Sequence, residues 1–170
     1  NPGDPASRPG LPQAPTIVLG WDEIRRLPAH TQFMLMNKTQ QRRDEYATYK
    51  GIRVLDLLSA AKVDLAGVTG ITVFAPDGYS TDHSLQDVAA PFPQGFYYDG
   101  PLVFGDDEKA LLEKPESVPP GVADGHRIPG PLWLILAYER EGRPLEPSAY
   151  EKATGRLVGE GPYRLAQPQR

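Results

Sequence analysis

A chain of 170 residues is long enough for one hydrophobic core and can bury roughly two-thirds of the surface its unfolded form exposes. A formal net charge of -4 without a basic block argues against nucleic acid as the main partner, and no apolar run approaches the about 20 residues that a bilayer helix needs. Zero cysteines exclude disulfides, thiolate metal ligands, iron–sulfur clusters and cysteine nucleophiles.

Gly and Pro are frequent, so a loop-rich α+β fold is expected rather than a helical bundle. Residues 1–15 are crowded with Pro, Gly and small polar side chains and begin at Asn1 rather than Met. They read as a tether left after removal of a targeting segment, which predicts a periplasmic or otherwise extracytoplasmic protein and allows an N-terminal membrane tether. An arbitrary chain boundary would look the same. Residues 16–170 read as a single domain.

Residues 16–19 suggest a short strand, and 21–27 a short helix with Asp22 and Glu23 in its first turn and Pro28 stopping it. Residues 31–36 are strand-like, with Met34 and Met36 on one face as core filling. The chain then turns polar over 37–46. Lys38, Arg42 and Arg43 there suit either an anion site or a solvated loop.

Val54, Leu57, Leu58 and Ala61 fall on one helical face, predicting a helix over 54–61 with Gly51 in the turn that launches it. Residues 71–75 and 79–83 are β-rich and separated by Pro76, Asp77 and Gly78, which predicts a hairpin. His83 closes it, as a ligand-facing or a structural histidine. Ser84 and Asp87 form a capping pair for a short helix ending at Ala89.

From about 91 to 131 the composition shifts to Pro, Gly, aromatic and acidic residues, predicting a loop-rich insertion with a helix only at 106–112. Asp106, Asp107 and Glu108 lack calcium-loop spacing and read as the acidic start of that helix. Phe92, Phe96, Tyr97, Tyr98, Phe104 and Trp133 suit either a lid or protein interface, or a cluster that anchors the insertion on itself. A buried strand at 132–138, a turn at Glu141 and Gly142, and a last strand at 161–165 complete the domain. No Gly-any-Ser-any-Gly motif supports serine hydrolase chemistry.

Three pieces share an order with a known family. Tyr49-Lys50-Gly51-Ile52-Arg53-Val54-Leu55-Asp56-Leu57-Leu58 is similar to the "Tyr, any, Gly, Val, any, Leu, any, Asp, Leu, Leu" segment of the molybdopterin-binding domain of sulfite-oxidase-like oxidoreductases. A strand and Asp77-Gly78-Tyr79-Ser80 follow it. Leu136-Ala137-Tyr138-Glu139 with Gly142-Arg143-Pro144-Leu145, and later Gly161-Pro162-Tyr163-Arg164-Leu165, complete the resemblance. It implies an α+β fold of mixed twisted sheets, a few short helices and a cleft that in active members holds a pterin.

In that family a cysteine holds the metal at a place that falls here near Met36 or Asn37, and neither can supply a thiolate. The family also tends to continue into a basic segment beyond the last strand, whereas this chain stops at Arg170. The resemblance therefore implies a non-catalytic binding domain for a small anion or a partner protein, with no cofactor required. A molybdopterin oxidoreductase lacking the usual ligand, and a purely structural domain, are the alternatives. The cleft candidates are Asn37, Arg42, Arg43, Tyr79, His83 and Arg164, the last as a cleft-facing or loop-clamping residue. No catalytic residue and no metal ligand is assigned.

Overall fold

The computed structural model describes residues 16–36, 43–75, 79–100, 102–103, 111–150, 152 and 157–168. The tether, Asn37, Lys38, Arg42, the Pro76-Asp77-Gly78 turn, Phe104 and the acidic run at 106–108 lie outside them. The fold is mixed α+β, mostly strands with three short helices among the described residues.

The sheet is organised around one long strand. β1 (Ala29–Met36) runs antiparallel to β2 (Arg43–Arg53), in register from Ala29 opposite Ile52 to Met36 opposite Glu45. The other edge of β2 is divided. Its first residues pair in parallel with β6 (Leu111–Glu116), and its second half pairs antiparallel with β7 (Ile135–Arg140). β5 (Leu102–Val103) flanks β6, while β8 (Arg143–Pro144) and β11 (Arg164–Ala166) flank β7, giving seven strands. Two small sheets stand apart: β3 (Gly70–Phe74) with β4 (Ser80–Ser84), and β9 (Ala149–Tyr150) with β10 (Leu157–Val158).

The helices follow local signals. α1 (Trp21–Arg26) begins where Glu23 Oε2 accepts the Gly20 backbone N–H at 2.7 Å. α2 (Val54–Ala60) matches the apolar stripe, burying Val54. α3 (Leu85–Ala89) is capped by Ser84 Oγ, which accepts the Asp87 N–H at 3.2 Å.

Several expectations are corrected. Residues 16–19 form no strand: no neighbouring edge pairs with them, and Ile17 and Val18 stay exposed. Residues 43–46 are not loop but the start of β2, because the polar side chains find partners there. Asp44 is buried and accepts the Tyr98 hydroxyl, and Glu45 pairs with Arg140. Gly51 lies inside β2 rather than in a turn. The β2–β7 register shifts between Lys50 and Gly51, and a Cβ at Gly51 would overlap the backbone of Leu136 and Ala137. The strand expected at 132–138 begins at Ile135, Leu132 forming only an isolated bridge with Phe92, and the last strand is Arg164–Ala166.

The segment 91–131 is part of the fold and not an addition to it. Leu111 and Leu112, expected in a helix, belong to β6 within the central sheet. Residues 92–97 run against 125–132 as an irregular ribbon, with Phe92 N donating to Leu132 O at 2.8 Å, Tyr97 N to His126 O at 2.8 Å and Ile128 N to Gly95 O at 2.9 Å. Phe92 and Tyr97 enter the largest core cluster with Leu35, Tyr46, Val88 and Leu134. A second cluster behind the β1–β2 and β7 strands includes Met34, Met36, Tyr49 and Ile135, so both methionines fill core.

Candidate functional site

Arg164 is the one predicted site residue that the fold brings into a charged constellation among the described residues. It opens β11, paired with β7, whose last residue is Arg140. Both guanidiniums converge on Glu160, which sits in the turn before β11. Arg164 Nη1 contacts Glu160 Oε1, and Arg140 Nη1 lies 3.6 Å from Oε2. Arg140 also pairs with Glu45 on β2. The four side chains are between 14% and 27% exposed, so the network is partly wet and its attraction is discounted by solvent.

Two acids and two bases cancel, and behind them Tyr49 is buried. Burial, with the nearby Glu160 carboxylate adding to it, pushes the Tyr49 hydroxyl up to about 12, so it stays protonated at neutral pH. Register explains the meeting. Tyr49 lies opposite Arg140 across β2 and β7, Met36 opposite Glu45 across β1 and β2, and Arg164 opposite Ala137 across β7 and β11. Glu45 and Arg140 escape sequence reasoning because nothing local marks them, whereas Glu160 stands only four residues before Arg164. An arginine ending an apolar strand and a glutamate before a glycine-proline pair are weak signals until strand pairing is known.

The other candidates are distributed elsewhere. His83 lies on the separate β3–β4 sheet, only 4% exposed, and its Nε2 has no hydrogen-bond partner among the described residues. Burial lowers its pKa, against the opposing pull of Asp82. Tyr79 is exposed beside the start of β4. Arg43 opens β2 with its backbone opposite Glu113. Asn37 and Arg42 fall outside the described residues.

A second group was not foreseen. Arg53 makes a two-point pair with Asp56, at 2.7 and 2.9 Å, and lies over the Trp133 ring at 4.9 Å. Gln32 holds the Trp133 backbone, accepting its N–H at 2.8 Å and donating to its carbonyl at 2.9 Å. These contacts seal β1 against the chain entering β7. A shallow groove of about 250 Å³ opens beside them, between Pro91, Pro93 and Gln94 on one arm of the ribbon and Gly130 and Pro131 on the other. None of the predicted cleft residues lines it.

No family model, curated protein or solved structure matches the chain. Any assignment therefore rests on the residues themselves. The donor set does not reproduce the metal site that the resemblance implies. The chain has no thiolate, and Met36 turns its thioether into the second core cluster, 7% exposed. Among the described residues no three His, Asp or Glu side chains gather as metal ligands. No described helix is long and apolar enough to cross a membrane.

Proposed function

We propose that the chain is a non-catalytic, exported member of the sulfite-oxidase-like molybdopterin-binding fold that works by binding, with a small anion favoured over a partner protein. The observation that carries this reading is the convergence of Arg140 and Arg164 on one carboxylate at the partly exposed end of the central sheet. Guanidinium groups present paired donors that fit planar and tetrahedral oxyanions, and they stay charged at every physiological pH. The missing thiolate supports binding over redox chemistry, because a soft metal prefers sulfur and this chain offers none from a cysteine.

The test is made on protein produced in a host that synthesises the pterin, followed by elemental analysis, fluorescence of the oxidised pterin and a redox assay. The reading expects substoichiometric molybdenum and no molybdenum-dependent turnover. Stoichiometric molybdenum with an activity that follows it would overturn the reading in favour of an oxidoreductase with an altered ligand set.

A further inference from the structure

The Arg140–Glu160–Arg164 arrangement has the form of a ligand complex in which the ligand belongs to the chain. The guanidiniums are carried by the sheet, Arg140 at the end of β7 and Arg164 at the start of β11. The carboxylate comes from outside it, on the turn before β11. That turn is fastened to a different stretch of chain: Gly161 N donates to Glu146 O at 2.6 Å, and Gly161 O accepts from Ser148 N at 2.9 Å and from Ser148 Oγ at 2.7 Å. Each oxygen of Glu160 meets a different arginine, as an external carboxylate would.

We infer that Arg140 and Arg164 form a site for a small carboxylate-bearing anion, which the chain closes with its own Glu160. The inference rests on reading the domain as an anion binder. Among the described residues Glu45 pairs with Arg140 and Arg164 pairs with Glu160, so removing Glu160 takes the carboxylate from Arg164 and opens a space the size of a carboxylate. Glu160 is 24% exposed along its side chain, so the position it fills lies partly open to solvent. Tyr49, buried and protonated behind the pair, adds no competing charge.

The experiment compares wild type, Glu160→Ala and the Glu160→Ala/Arg164→Ala double variant in thermal unfolding and calorimetric titration with acetate, with sulfate as a second arm, at constant ionic strength. Glu160→Ala should gain a saturable acetate response, with Tm rising by roughly 5–10 °C when acetate is about one hundred times its Kd. Wild type, in which Glu160 competes for the two arginines, should respond only at much higher acetate, and the double variant should lose the response. Acetate should bind more tightly than sulfate, since a planar carboxylate fits where Glu160 sits. Sulfate binding tighter than acetate would overturn the carboxylate assignment.

A folded Glu160→Ala protein with no saturable response, or an equal response in all three proteins as expected from general salt stabilisation, would overturn the closed site. Should Glu160→Ala fail to fold in chloride, its refolding yield with acetate is read instead: recovery supports the site and no recovery overturns it. A silent variant together with molybdenum-free wild type removes the closed site but leaves the non-catalytic reading standing. Molybdenum-dependent activity in wild type removes that reading whatever Glu160→Ala does.

Discussion

Tyr46 holds the backbone of Tyr98 with its hydroxyl, and Tyr98 in turn holds Asp44 with its own. The Tyr46 hydroxyl accepts the Tyr98 backbone N–H at 2.9 Å and donates to the Tyr98 carbonyl at 3.2 Å, while the Tyr98 hydroxyl reaches back to Asp44 Oδ2 at 2.8 Å, two residues before Tyr46 on β2. The aromatic-rich segment is thereby latched to the central strand through a buried carboxylate, and the Tyr98 hydroxyl is pushed well above its ordinary range, first by burial and then by Asp44. The Tyr46 ring also packs on Tyr97 at 5.2 Å and stacks on Phe33 at 5.9 Å.

Tyr98→Phe keeps the ring and removes only the donor. A hydrogen bond to a charged group contributes about 1.5–3 kcal/mol, so urea unfolding of Tyr98→Phe should show a loss in that range with an unchanged m-value. A loss below about 0.5 kcal/mol, the size of an ordinary surface change, would show that the hydroxyl does not hold Asp44.

Gly51 and Gly67 separate two reasons for glycine. At Gly51 an added methyl would overlap the Leu136–Ala137 backbone, so Gly51→Ala should cost about 3 kcal/mol or more through forced strand separation. Gly67 has φ +75° with open space around it, so Gly67→Ala should cost only about 1–2 kcal/mol from the left-handed backbone. Equal losses in denaturant titrations would contradict this division.

His83 makes stability pH-dependent with a definite sign. Burial depresses its folded-state pKa below the ordinary 6.5, so below that pH the unfolded chain binds a proton that the folded chain resists. The contribution is present above pH 6.5 and is lost as pH falls toward the folded pKa, with a slope of up to about 1.4 kcal/mol per pH unit. His83→Leu should flatten the fall in unfolding free energy below pH 6.5. His30, also shifted down by burial, keeps part of the slope. An identical pH profile for the variant would refute the assignment.

Gln32 acts as a strand edge made from a side chain, its amide satisfying both backbone groups of Trp133. Gln32→Leu leaves a donor and an acceptor without that partner in a half-buried place, at about 1–3 kcal/mol for each unsatisfied group. The expected result is a protein destabilised by at least about 2 kcal/mol, with Trp fluorescence shifted to the red before the main unfolding transition.

The legible parts of this fold are those whose causes lie within a few residues. Ser84 caps α3 because its hydroxyl reaches a backbone N–H three positions on, and α2 follows from four apolar residues on one helical face. The β3–β4 hairpin was visible in two β-rich runs of matching length. Residues 43–46 were not legible as strand, because burying Asp44 requires a tyrosine 54 positions away. The β6 strand was hidden for a similar reason: its partner on β2 lies across two helices, the β3–β4 hairpin and β5.

By itself the sequence determined α2, α3 and the β3–β4 hairpin, and the chemistry that no folding can supply, above all the absence of a thiolate. Arg164 could be singled out as a residue, but its setting could not. Glu160 is its neighbour four residues back, but Glu45 and Arg140 join the group only through the β2–β7–β11 register, in which a shift of one residue would turn their side chains to the opposite face of the sheet. Charges far apart in the chain meet because the strands that carry them pair, and pairing is decided by the competition among all the strands for one shared core.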